Sequence, residues 1–278
     1  MTQSDNLPAT WLMAKHPPRL ISPEPAQPTA ASSAALLAAY RDLAAAEPEV
    51  SSTAPWLHHY WQHHDSRLAF DLDAVRALAP PGTTIIEAGS LPLLLTLALS
   101  RSGYRVEGTD LAPERMAASL DRHRLQVHRL NLETEPLPFP SRHATLVVFN
   151  ELFEHLRLDP IHTLEEVRRV LAPNGRLLLS TPNLRSLPGL KNLLLHNRGW
   201  ACCADPYSEY MKLRQLGHMG HVREYTSREV VEFLEAVGFR VEQVVFRGWC
   251  GGRWSRLVER AVPSLRPYLS VVASPGHS

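Results

Sequence analysis

Between Thr83 and Asp110 the chain alternates short apolar runs with acids and glycines. Thr83-Thr84-Ile85-Ile86 closes on Glu87-Ala88-Gly89, an apolar stretch runs from Leu91 to Leu99, and Arg105-Val106-Glu107-Gly108-Thr109 closes on Asp110. A β-branched run, a helix-length apolar stretch and a second strand-like run predict one β-α-β unit of a parallel sheet. The pattern continues downstream. Pro113 to Leu120 reads as a helix, Val127 to Asn131 as a third strand, and Thr145 to Asn150 as a fourth, apolar enough to be buried on both faces. Leu164 to Leu171 reads as a helix, and the turn Pro173-Asn174-Gly175 leads to a fifth strand at Arg176 to Thr181. An amphipathic helix spans Ser227 to Val237 with Gly238 at its end, and Phe239 to Phe246 and Tyr268 to Ala273 read as two antiparallel strands separated by Arg253 to Val262.

Ahead of this sheet, residues 1–31 are rich in Pro, Ala, Ser and Thr without periodicity and are expected to form a mobile tail or extended arm. Ser32 to Ala46 reads as an Ala-rich helix stopped by Pro48, and Arg67 to Ala79 as another helix. Between them Trp56 to Asp65 concentrates aromatic and histidine side chains. Two readings of it stay open: a lid over the ligand edge, or a helix start docking its Trp and Tyr on the domain. Pro182 to Tyr225 is a long insertion, and such segments on a ligand edge commonly serve as lids or specificity elements. Its Leu187 to Leu195 part leaves a homodimer contact open. The domain division expected is 1–55 for the extension and 56–278 for the main domain.

Composition narrows the classes of partner. With 278 residues, 44% of them hydrophobic, and a net charge of +1, the chain can bury one large α/β core but offers a polyanion no broad attraction, which disfavours nucleic acid. No basic block marks a membrane surface, so no membrane partner is expected, and the longest apolar run is too short to span a bilayer. Three cysteines without paired spacing fit a reduced, cytoplasmic setting.

Strands of an open parallel sheet deliver their carboxyl ends to one edge, where Gly89 would let a ligand approach the backbone, Ser90 would cap the next helix and Pro92 would suit its first turn. Asp110 follows Glu87 by 23 positions, near the roughly 20-residue offset at which an acid accepts from ribose hydroxyls. At the end of the fourth strand, Glu151, Glu154 and His155 stand at i, i+3 and i+4, so a helical turn would point all three into the site.

Glu87-Ala88-Gly89, Asp110, Asn131-Leu132-Glu133, Asn150 to Leu156 and Val170 to Leu177, in this order, resemble the motifs of class I S-adenosylmethionine-dependent methyltransferases over roughly residues 80 to 250. The resemblance implies a Rossmann-like fold: a seven-stranded, mostly parallel sheet with helices on both faces and an antiparallel last strand. It implies S-adenosylmethionine as cofactor, held by Glu87, Gly89, Asp110 and Asn131, with Leu132 and Asn150 nearby. Where the family carries two further glycines this chain has Leu91 and Leu93, which keeps a non-catalytic binding module in view.

The Glu-x-x-Glu-His element is similar to that of metal-dependent 2′-O-methyltransferases of small RNA. That likeness implies Mg²⁺ or Mn²⁺ held by Glu151, Glu154, His155 and His221, with His218 as the alternative last ligand. An alcohol nucleophile needs a base or a metal to ready it, which makes His155 and Glu154 the catalytic candidates; the competing readings are His155 alone as general base, or Glu154 and His155 merely shaping the cofactor edge. The expectation is therefore O-methylation of a sugar, glycan or other small polar metabolite, with a phenolic, quinone-type or peptide natural-product precursor as the alternative acceptor.

Overall fold

The computed structural model describes residues 19–20, 28–47, 53–202, 205–216 and 220–276. Most of the N-terminal arm, Pro48 and His218 lie outside them. One sheet of eight strands runs in the order β1-β7-β8-β6-β5-β2-β3-β4. The strands are β1 Arg19–Leu20, β2 Thr84–Ala88, β3 Arg105–Asp110, β4 Gln126–Arg129, β5 Ala144–Asn150, β6 Leu171–Pro182, β7 Phe239–Arg247 and β8 Tyr268–Pro275. This is the expected seven-stranded sheet extended at one edge by the two-residue β1. β7 runs parallel to its neighbour β1, and only β8 is antiparallel, pairing with both β6 and β7. The last two strands, β7 and β8, run antiparallel to each other as expected, and β8 is the antiparallel strand of the sheet.

Both faces of the sheet are covered. Alternation along β5 sends Leu146 and Val148 to one side and Val147 and Phe149 to the other, all fully buried. The first side packs against α1 (Ala30–Ala46), α2 (Thr53–Leu78) and α3 (Leu94–Arg101), where Leu36, Leu43, Leu57, Leu72 and Leu97 join one core. The second packs against α5 (Pro160–Val170) and α8 (Ser227–Ala236) through Leu164, Val167, Val230 and Leu234. α1 and α2 thus complete the core rather than trailing from it. The Trp56 to Asp65 segment is part of one continuous α2, with Trp61 stacked on Tyr40 at 4.9 Å and Trp56 under the Arg115 guanidinium.

Several boundaries differ from the sequence expectation for local reasons. The predicted helix after β3 is a 3₁₀ turn, Pro113–Met116, followed by α4, Ala117–His123. α8 is capped one residue early by Thr226, whose side chain and Glu229 form a reciprocal capping box. The Pro173-Asn174-Gly175 turn is absorbed into β6 as an irregularity opposite Ala144 and Leu146. A Cβ on Gly175 would stand 2.9 Å from the Ala144 carbonyl, so only glycine lets the strands close there.

The carboxyl ends of β2, β5, β6 and β7 share one edge. Over it lie the insertion, with α6 (Leu187–His196) and α7 (Pro206–Leu216), and α9 (Arg253–Ala261), which follows β7.

Candidate active site

At the end of β2, Gly89 takes φ +71° and donates its N–H to Thr109 O at 2.9 Å, so the chain turns sharply with no Cβ above it. Asp110 braces the same turn: its Oδ2 accepts from Leu91 N–H at 3.1 Å and its Oδ1 from Ala112 N–H at 3.2 Å. Ser90 does not cap α3. Its hydroxyl donates to Glu87 O at 3.0 Å, and Leu93, in the left-handed region at φ +67°, precedes the helix without a side-chain cap. Pro92 likewise stays outside the helix. Leu93 is fully buried, so the glycine-like conformation is kept and the space beside it is filled by core.

Glu87 is buried and accepts from Thr96 Oγ1 at 2.6 Å. Burial first, and then repulsion from Asp71 and Asp110, push its carboxyl up to about 8 against the Thr96 bond. Arg67 and Asp71, one turn apart on α2, reach down over this edge and are both buried. Arg67 donates to Tyr60 Oη at 2.7 Å. Asp71 faces Arg247 of β7 at 3.7 Å, and Arg247 continues to Glu151 Oε1 at 3.4 Å. Burial raises the Asp71 carboxyl even so.

Both oxygens of Asp71, both amide atoms of Asn150 and Arg67 Nε are buried and make no well-formed hydrogen bond. They surround, with Glu87 and Gly89, a cavity of about 30 Å³, the volume of roughly one water. A buried, charged and under-satisfied cluster beside a glycine turn is the signature of a ligand subsite. Asn131 sits past the end of β4, its Oδ1 accepting from Glu133 N–H at 3.1 Å, while the Leu132 carbonyl accepts from Thr163 Oγ1 at 3.0 Å.

The second part of the site forms where β5 ends. Glu151, at φ +52°, breaks the strand, and Phe153–His155 make a 3₁₀ turn in place of the expected helical turn. The three predicted side chains therefore diverge. Glu151 turns to Ser180 Oγ at 2.9 Å and to Arg247, while Glu154, fully buried, accepts from Thr181 Oγ1 at 2.9 Å. The insertion's return strap is tied to this turn, because Val222 and Arg223 donate their N–H groups to Glu154 O at 2.7 and 3.3 Å.

That strap brings His221 in. Glu154 Oε1 lies 4.0 Å from His155 Nε2 and 3.9 Å from His221 Nε2 and has no hydrogen-bond partner. Glu154, His155 and His221 each offer a donor atom within 4.8 Å of the others. Each ring is fixed from behind: His155 Nδ1 donates to Gly220 O at 3.0 Å, and His221 Nδ1 faces Glu224 Oε1 at 3.4 Å. Since neither acceptor can donate, both Nδ1 atoms carry protons and both Nε2 atoms turn toward Glu154. A Cβ on Gly220 would fall 1.3 Å from Glu209 Oε2, so a larger residue there would displace the Glu209 carboxylate.

Burial, then repulsion from Glu151, push the Glu154 carboxyl up to about 8, with His221 opposing. Burial would lower the His221 pKa, but Glu224 and Glu154 outweigh it and raise the value. Glu151 belongs to the wall of the site and not to the donor cluster, because Arg247 and Ser180 hold its carboxylate. His64, Glu151, His155, His221, Lys212 and Tyr268 help to line a cavity of about 520 Å³ above this cluster. Sequence reasoning missed Arg67, Asp71, Arg247 and Glu224. The i, i+4 spacing of Arg67 and Asp71 was visible, but nothing in the chain said that this face of α2 turns to the sheet edge.

Comparison with known proteins fits this geometry. Residues 60–244 match the model of a family described as a methyltransferase domain. A Mycolicibacterium smegmatis protein, described as a probable S-adenosylmethionine-dependent methyltransferase, is 30% identical over 171 residues, 60% of this chain and 56% of its own length. The chain thus spans little more than half of that relative. Among solved structures, a methyltransferase from Archaeoglobus fulgidus aligns with a TM-score of 0.53 at 14% identity, covering 78% of this chain and 98% of its own. A Pyrococcus horikoshii protein aligns with a TM-score of 0.53 at 15% identity, covering 77% and 92%. These two likenesses concern the fold.

Proposed function

The chain belongs to the methyltransferase domain family, and from that premise we propose that it transfers a methyl group from S-adenosylmethionine to a hydroxyl oxygen of a polar acceptor, a sugar or glycan hydroxyl first among them. We further propose that a metal ion held by Glu154, His155 and His221 assists. The observation that carries this reading is the buried, unpartnered Oε1 of Glu154 between two imidazole Nε2 atoms whose rings are locked from behind. Nature leaves few such oxygens unmatched.

At the cofactor end, Gly89 gives the close backbone approach, and Glu87, Asp110, Asn131, Leu132 and Asn150 line or brace the same edge. Arg67 offers a permanent cation and Asp71 and Glu87 offer acids, a set matched to the carboxylate and ammonium of the cofactor's amino-acid end. When bound, the cofactor supplies an electrophilic methyl carbon. The present cavity of about 30 Å³ is smaller than that end, so this edge would have to widen on binding.

At the acceptor end, two imidazoles and one carboxylate suit Mn²⁺ or another imidazole-binding ion better than Mg²⁺, which favours oxygen ligands. A bound ion supplies Lewis acidity that eases loss of the acceptor's proton. Without an ion, His155 is the candidate base, its Nδ1–H donating to Gly220 O and its Nε2 facing the cluster 4.0 Å from Glu154 Oε1.

The test is calorimetric titration with S-adenosylmethionine and, separately, with Mn²⁺, on the wild type and on Glu87→Ala and Glu154→Gln. Glu87→Ala is expected to weaken cofactor binding at least tenfold and leave Mn²⁺ binding alone; Glu154→Gln does the reverse. Cofactor affinity unchanged by Glu87→Ala would misplace the cofactor site. Full methyl transfer after chelation would remove the ion and leave His155 as base.

A further inference from the structure

The large apolar side chains most exposed on the described residues are not scattered. Of twelve, only Leu111, Leu158 and Ile161 lie elsewhere; Leu193 to Leu195 are on α6, Tyr207 and Tyr210 on α7, and Trp254, Leu257, Val258 and Val262 on α9 and its end. Leu194 is 77% exposed, Tyr207 74% and Trp254 82%. All nine lie in segments that follow the carboxyl ends of β6 and β7, and α7 also lends Ser208, Glu209 and Lys212 to the lining of the acceptor cavity. Patches of this kind on a soluble surface mark an interaction site.

α9 is amphipathic the wrong way round for a core helix. Trp254, Leu257, Val258 and Ala261, at i, i+3, i+4 and i+7, form a stripe that faces solvent, while Glu259 is fully buried beneath it and accepts from Cys250 N–H at 2.9 Å. A helix packing for stability would turn the leucine in and the glutamate out. Here the polar side is the anchor and the apolar side is presented.

Charge identifies what the stripe is presented to. Arg253, Arg256 and Arg260 flank it, all exposed, and α6 adds Lys191 and α7 Arg214. The acids of the same three helices, Glu209 on α7 and Glu259 on α9, are both buried. A second copy is a poor fit: a two-fold contact through this patch would set arginine against arginine. An anionic lipid surface matches both components, taking Trp and Leu below the headgroups and arginines among the phosphates. Tyr207 and Tyr210 supply the aromatic rings that favour the same depth. No helix of the described residues is long and apolar enough to cross a membrane.

We propose that α6, α7 and α9 form a docking face for an anionic lipid membrane. Resting on the methyl-transfer reading, this sets the mouth of the 520 Å³ cavity against the lipid surface; the docking itself is measured without cofactor, so either idea can fail alone. The arginines are dispersed along the chain and gathered only by α9, which is why no basic run announces them.

The experiment is co-sedimentation of the full chain with vesicles of phosphatidylcholine alone or mixed equally with phosphatidylglycerol. Binding to the anionic vesicles is expected to exceed binding to the neutral ones at least tenfold and to weaken at high salt. Trp254→Ser/Leu257→Ser is expected to lower partitioning at least tenfold, and Arg253→Gln/Arg256→Gln/Arg260→Gln to erase the preference for the anionic lipid. These side chains touch solvent, so circular dichroism and melting temperature should match the wild type. Absence of binding to either vesicle overturns the proposal, as does binding that Trp254→Ser/Leu257→Ser leaves unchanged. Analytical ultracentrifugation identifies the rival occupant: a dimer that this variant dissolves, with no vesicle binding, makes the face a contact between copies.

Discussion

Replacing Glu87 by glutamine should stabilise the protein in a pH-dependent way. The carboxyl is buried among other acids, and its pKa is raised from 4.5 to about 8 by burial first and then by Asp71 and Asp110. Below pH 4.5 both folded and unfolded chains hold the proton, and Glu87 has no effect on stability. As pH rises from 4.5 toward 8, the unfolded chain gives up a proton that the folded chain keeps, so Glu87 increasingly destabilises the fold, and the penalty is constant above about 8. At about 1.4 kcal/mol per pH unit, the penalty at pH 7 is about 3 kcal/mol. Glutamine escapes it and still accepts from Thr96 Oγ1, although its new N–H group costs about 1 kcal/mol where it finds no partner. A net gain of about 2 kcal/mol corresponds to a rise in melting temperature of roughly 4 °C in a chain of this size. The assay is thermal unfolding of both proteins across pH 4.5 to 8.5. A variant that melts slightly below the wild type at pH 4.5 and above it by pH 7 supports the reasoning. An offset that does not change with pH would show that the carboxylate ionises at little cost and that the substitution acts through packing.

Three further outcomes follow from the same geometry. Arg247→Leu strips the one side-chain cation that, among the described residues, pairs with both Asp71 and Glu151 and is expected to cost about 3–5 kcal/mol in urea unfolding; a loss under 1 kcal/mol would mean that Arg67 alone compensates. Leu93→Gly relieves a left-handed residue but empties a fully buried position, so a net loss of about 2–4 kcal/mol is expected by the same measurement, and a gain would make backbone strain the larger effect. Glu224→Gln weakens the hold on His221 Nδ1 and should reduce Mn²⁺ affinity about tenfold or more in calorimetry, with a lower melting temperature because the Glu224 carboxylate also accepts from Cys202 N–H at 2.9 Å; unchanged affinity would remove His221 from the ion site.

Much of the strand edge around Gly89 was legible because its determinants are local. Gly89 and Asp110 act through backbone turns a few residues long or across one strand pair, and periodicity places them. The Glu154 cluster was legible only in part. The chemistry of Glu151, Glu154 and His155 was visible in their types, but the helical turn that would align them does not form, since Glu151 adopts a positive φ and its carboxylate is claimed by Ser180 and Arg247. His221 lies 66 residues beyond His155 and reaches it through a strap whose hold is two backbone bonds to Glu154 O.

By itself, then, the sequence determined the alternation of strands and helices, the burial of β5 on both faces and the glycine turn after β2, because each follows from spacing along the chain. Tertiary structure alone decided the rest. It chose which side of α2 faces the sheet edge, which of three clustered acids and histidines share a centre, and that α9 turns its leucine and tryptophan outward over a buried glutamate. Those choices depend on what approaches from distant segments, and side-chain spacing carries no record of it.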